Sequence, residues 1–167
     1  MSPTNDDLSG PLTWERQSIF SRDYFLKGRS GELANIGWPN VLSFRAEGRA
    51  DGRTYILTRK GVFRPEVSVL RTPYEEKVAV MQLAGQGGRL EFSDGSRYTM
   101  VRPSILKLIW SFQDENGNEV ASFTVPAFKK RMCEARVDGG MHRERQLLLL
   151  LIGWYVIVPK LDQRGGA

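Results

Sequence analysis

The chain has 167 residues, 24 basic and 19 acidic side chains, one His and one Cys, and a formal net charge of +5. One Cys cannot close an internal disulfide, and Cys133 with His142 falls short of the three or four ligands of a zinc site, so no metal and no cofactor is expected. At roughly 100–200 residues per domain the length implies one domain, and a content of 41 % hydrophobic and 26 % charged residues excludes bulk disorder.

Residues 1–12 are polar and acidic at their start and lack a basic stretch leading into an apolar one. They read as a disordered lead-in rather than a secretory signal. With a single free thiol, this favours a reducing, cytoplasmic setting. One domain is expected over 13–160, and 161–167 reads as a flexible tail.

Within the domain the dominant signal is short strands separated by tight turns. Tyr24–Leu26 and Glu32–Ile36 flank Gly28–Gly31 as a hairpin. Tyr55–Thr58, Glu66–Leu70 and Lys77–Met81 read as strands, and Gly85–Gly88 as a loop. Leu90 and Phe92, then Tyr98 and Met100, alternate around Asp94-Gly95 as a second hairpin. Leu106, Leu108, Trp110 and Phe112 share one face of the next strand, and Ala121, Phe123 and Val125 one face of the strand after Asn116-Gly117. Pro126 ends that run because it cannot donate to a ladder. Asp51-Gly52, Asp94-Gly95, Asn116-Gly117 and Asp138-Gly139 are the residue pairs that take up positive φ most cheaply, as two-residue hairpin turns require.

One segment breaks the pattern. Leu147 to Val158 is an apolar run of twelve residues. Twelve residues span about 18 Å as a helix, whereas a bilayer core is about 30 Å thick, so no stable transmembrane span is expected. Five consecutive Leu favour helix. A helix that is apolar all round must be buried all round, and in a protein of strands the place for it is the interior of a closed barrel. As one helix, about His142 to Val158 would span about 25 Å, the height of a barrel; alternatively Gly153 marks the helix end and Trp154–Val158 leaves as a strand.

Many short strands with polar turns, followed by a Leu-rich C-terminal helix, resemble the tubby-like C-terminal fold. That superfamily includes the tubby domains, the phospholipid scramblases and the LURP-one-related proteins. The likeness is carried by the Trp110–Phe123 hairpin with its Gly117-Asn118-Glu119-Val120-Ala121-Ser122-Phe123 stretch, by Phe92-Ser93-Asp94-Gly95 and by Leu147–Ile152. It runs from about Trp14 onward. The resemblance implies a mainly β fold, a closed antiparallel barrel of about twelve strands around a buried hydrophobic C-terminal helix. No residue here aligns with the tubby phosphoinositide site, and the Pro-rich and Cys-rich stretches of scramblases are missing.

No catalytic constellation is legible. His142, the sole His, sits beside Arg143 at the helix start and reads as a surface or capping residue. Cys133 reads as a strand residue rather than a nucleophile. Trp14, Trp38, Trp110 and Trp154 read as core or rim aromatics. The densest basic stretch is Lys129, Lys130 and Arg131, with Arg136, Arg143 and Arg145 nearby, and these six are the candidate anion- or lipid-binding residues. The expected function is a non-enzymatic binding or adaptor module that contacts anionic phospholipid headgroups or a protein partner at a membrane surface. Nucleic acid is not an expected partner. The alternatives are a membrane-inserted scramblase-like protein using the C-terminal apolar segment, and an enzyme with a site at the barrel rim.

Overall fold

The structure is a computed structural model that describes residues 5–40, 42–127 and 132–165. Twelve strands run β1 (Leu12–Arg16), β2 (Asp23–Gly28), β3 (Gly31–Gly37), β4 (Ala46–Ala50), β5 (Arg53–Lys60), β6 (Glu66–Arg71), β7 (Glu76–Ala84), β8 (Gly87–Phe92), β9 (Arg97–Val101), β10 (Ile109–Gln113), β11 (Glu119–Thr124) and β12 (Met132–Val137). Each pairs antiparallel with the next, and β1 pairs with β12 (Trp14 opposite Cys133), which closes the barrel. A closed barrel has no free edge, so every strand's ladder is satisfied by its two neighbours.

Period-two alternation puts one face of each strand inside. Leu12 and Trp14, Tyr24 and Leu26, Tyr55 and Leu57, Val67 and Val69, Leu90 and Phe92, and Trp110 and Phe112 are all buried. The interior is filled by α1 (Arg143–Gly165). Every residue from Leu147 to Val158 is buried. Burying each Leu contributes roughly 1.5–3 kcal/mol, so this run is the main apolar load of the core. By length and composition Arg143–Arg164 could cross a membrane, its most apolar 18-residue window having mean hydropathy 1.2, but 78 % of that window is buried within the barrel.

The helix packs against β3 and β4 on one wall and β11 and β12 on the other. The strands make room for it with small residues: Ala34, Ala46, Gly48 and Ala50 on the first wall, Ala121, Cys133 and Ala135 on the second. A Cβ at Gly48 would stand 3.2 Å from a Leu151 methyl. Trp14 stacks on Trp154 at 6.2 Å, with Tyr24 edge-on to Trp154 at 5.3 Å.

Several expectations need correction. The helix does not end at Gly153: it continues through Pro159 to Gly165, and Leu161 is still buried. A strand leaving at Trp154 would find no edge to pair with in a closed barrel, and only a helix satisfies its own backbone there. Residues 161–165 of the expected 161–167 tail are therefore helical, and 166–167 lie outside the described residues. The 1–12 lead-in is partly structured: Asn5–Leu8 form a 3-10 turn, Leu8 is buried, and Ser30 hydrogen-bonds Asp7 at 2.8 Å. Ile105 and Leu106 are not in a strand, because β10 starts at Ile109. The Arg102 guanidinium instead donates to the carbonyls of Ile105 and Lys107 and holds the connection out of the ladder. The Gly85–Gly88 loop shrinks to a two-residue turn, since Gly87 and Gly88 belong to β8. Of the four turn pairs, Asp51-Gly52 has positive φ at both positions, 50° and 74°, as a two-residue hairpin needs. Asp138-Gly139 leads from β12 into α1 instead.

Candidate functional site

In a closed antiparallel meander, successive connections alternate between the two ends of the barrel. The β2–β3, β4–β5, β6–β7, β8–β9, β10–β11 and β12–α1 connections share the end where the helix enters. The β1–β2, β3–β4, β5–β6, β7–β8 and β9–β10 connections share the end where it leaves. Contacts agree with this. Arg143 and Arg145 at the helix start meet Asp51 and Asp94, while Lys160 and Asp162 near its end meet Gly85 and Arg22.

Charge is divided between these ends. The described helix-exit connections and the last turns of α1 carry seven cations (Arg22, Arg45, Arg64, Arg102, Lys107, Lys160, Arg164) and one carboxylate, Asp162. The helix-entry connections and first turn of α1 carry three cations (Arg29, Arg143, Arg145) and seven carboxylates (Asp51, Glu75, Asp94, Asp114, Glu115, Asp138, Glu144).

The entry end is a network of satisfied charges. Glu144 accepts hydrogen bonds from Arg53, from Arg71 at 2.8 Å and from Tyr55 at 3.2 Å. Arg145 is buried with its guanidinium 3.8 Å over the Phe92 ring and 2.6 Å from Asp94. His142 caps the helix, its Nδ1 accepting from the Arg145 N–H at 3.3 Å. Hydrogen bonds from Ser96 and then Arg145 hold the Asp94 carboxyl at about 2. Burial pushes the Glu144 carboxyl up, but Arg53, Arg71 and Tyr55 outweigh it and leave it below the usual value. Both groups thus titrate lower in the folded chain than in the unfolded one. Their stabilisation is complete above the ordinary carboxylate range and is lost as pH falls through it toward about 2. Melting temperature is expected to fall over that acid window, and the fall should be shallower in an Asp94→Asn, Glu144→Gln variant. An unchanged acid slope in that variant would show that other carboxyls dominate.

At the exit end the cations outnumber their partners. The Tyr155 hydroxyl donates to the Phe44 carbonyl at 2.5 Å, and the Arg59 guanidinium lies 5.1 Å from the Phe44 ring centre. With Lys160, Pro159 and Leu83 these residues line a cavity of about 110 Å³. Burial, then Arg59 and Arg102, hold the Lys160 ammonium below the usual lysine range. Burial, then Arg164, acts likewise on Arg102. Such mutual repulsion is relieved by an anion. A concavity of about 940 Å³ is an open trough on the outside of β7–β9 lined by Gln82, Arg89, Glu91 and Thr99, with charges of both signs.

Of the six basic residues singled out in the sequence, the three that are described, Arg136, Arg143 and Arg145, do not form one patch. Lys129, Lys130 and Arg131 lie outside the described residues. Arg136 is exposed on the outer face of β12, opposite Ser122. Arg143 and Arg145 lie at the acidic end and are held by Asp51 and Asp94. What sequence reasoning missed is the exit-end set: the cations above and the exposed apolar residues beside them. The available signal was an apolar pair inside a segment of turn composition, as in Ser18-Ile19-Phe20-Ser21 and Gly61-Val62-Phe63-Arg64. Cys133 is buried in β12, and burial pushes its thiol up, which leaves it unreactive.

No family model and no curated protein matches the chain. A solved structure, the X-ray structure of a protein from Arabidopsis thaliana, is similar to it with a TM-score of 0.59 at 11 % sequence identity, over 95 % of this chain and 96 % of that one. At this identity the likeness speaks for the fold.

Proposed function

We propose that this chain is a tubby-like barrel that works as a non-enzymatic binding module, docking on anionic phospholipid headgroups at a membrane surface. The observation that carries the reading is the division of charge. A positive end faces away from a negative one, so the molecule has an electrostatic orientation as well as a net charge of +5. Near an anionic leaflet each Lys or Arg contributes about 1 kcal/mol of attraction, which decays within a Debye length. The exit end would approach such a surface and the entry end would be repelled from it. The filled interior supports binding on the outside of the barrel, because α1 occupies the space in which an open barrel would hold a ligand.

Cosedimentation with vesicles checks this. Binding is expected to vesicles of phosphatidylcholine with phosphatidylserine, to weaken as salt is raised, and to be far weaker to phosphatidylcholine alone. Equal binding to both, or none to either, overturns the reading.

A further inference from the structure

We infer that the helix-exit end inserts the tips of four connections into the bilayer interface, seating the barrel end-on with the C-terminal end of α1 toward the membrane. This rests on the reading of a phospholipid-docking module and adds the apolar half of the contact and its geometry.

Among the described residues nine large hydrophobic side chains are exposed, and eight of them lie at this one end: Ile19 and Phe20, Leu42 and Phe44, Val62 and Phe63, Ile105 and Leu106. The ninth, Tyr74, lies at the other. Phe63 is 98 % and Phe20 92 % exposed, so these rings pack on nothing in the free chain. Scattered single apolar residues on a surface need no explanation, but a set gathered at one end does.

The four connections repeat one local pattern. Ile19-Phe20 is followed two positions on by Arg22, Phe44 directly by Arg45, Val62-Phe63 by Arg64, and Ile105-Leu106 by Lys107. Each tip therefore offers an apolar side chain and a cation within two residues. An interfacial segment uses that combination: the apolar group enters the acyl boundary while the long cationic side chain reaches back to the phosphates. The tips come from connections set around the circumference, between β1 and β2, β3 and β4, β5 and β6, and β9 and β10. They make a ring of separated points rather than one continuous face. A fluid bilayer receives such points independently. A protein partner would have to match them over a contiguous area of about 800 Å².

The test uses the full chain. All four native Trp are buried, so the emission that Phe63→Trp adds to that of the unmodified chain reports the tip. It is expected to be quenched by brominated acyl chains in phosphatidylserine-containing vesicles. A Phe20→Ser, Phe63→Ser pair is expected to lower partitioning roughly a hundredfold, about tenfold per side chain, at unchanged charge and melting temperature. Binding to anionic vesicles that is fully reversed by salt, unquenched and indifferent to the serine pair overturns insertion and leaves the electrostatic docking reading standing. Failure to bind anionic vesicles overturns both. A lipid-free dimer that the serine pair dissociates would make a second copy the occupant and overturn the inference.

Discussion

Replacing Gly153 by alanine is expected to destabilise the barrel by about 1 kcal/mol or more, although helix propensity alone predicts a gain of about 1 kcal/mol for the same change. The opposition arises because Gly153 lies in the middle of α1, where the Phe123 ring from β11 presses against the helix backbone. An alanine Cβ there would collide with Phe123 Cζ and stand 2.6 Å and 2.9 Å from the two Cε atoms. Phe123 is fully buried and edge-on to Phe112 at 6.2 Å, so the ring has little room to turn. Overpacking of this kind costs typically 1–3 kcal/mol, and for a chain of this size about 1 kcal/mol lowers Tm by roughly 2–4 °C. A double-mutant cycle isolates the cause. In a Phe123→Leu background the ring is gone, and Gly153→Ala is expected to become neutral or stabilising, with a coupling energy of about 0.5–3 kcal/mol. If Gly153→Ala stabilises the unmodified chain, the close packing of helix on β11 is not as described.

Neutralising Arg64, Lys107 and Arg164 together, each to Gln, is expected to reduce binding to phosphatidylserine-containing vesicles by more than a hundredfold. At about 1 kcal/mol per cation near the surface the triple change removes about 3 kcal/mol, and 1.4 kcal/mol is a factor of ten. All three side chains are exposed. Surface changes of this kind usually alter stability by no more than about 0.5 kcal/mol, so Tm is expected to hold. Arg29→Gln, which removes a cation from the opposite end, is the control and should change partitioning little. An equal loss per cation at the two ends would mean that net charge, not orientation, governs the contact.

The two predictions draw on features of different legibility. The burial of Leu147–Val158 could be read from the chain, because a helix without a polar face has no stable place in water and the surrounding pattern was one of strands. The strands themselves were legible wherever alternation was clean, as at Leu90–Phe92 and Ala121–Phe123. The length of α1 was not, because Gly153 carries the local signal of a helix end while its real role is to accommodate Phe123 from a strand thirty residues earlier in the chain. Ile105 and Leu106 misled in the same way: they alternate acceptably with Trp110 and Phe112, and only the Arg102 contacts with the backbone show that the segment is a connection.

Among the described basic residues, topology separates neighbours in sequence: Arg136 lies on the outer face of β12, and the chain then turns into α1, which carries Arg143 and Arg145. Arg143 and Arg145 therefore face acidic turns, where Asp51 and Asp94 hold them.

From the sequence alone follow the class of the fold and the barrel's apolar filling, because each depends on neighbours along the chain. Only the tertiary structure decided which residues act together. In an antiparallel meander every second connection returns to the same end. Cations dispersed across the sequence, and apolar tips separated by tens of residues, are thereby sorted onto one rim by the parity of the connection that carries them.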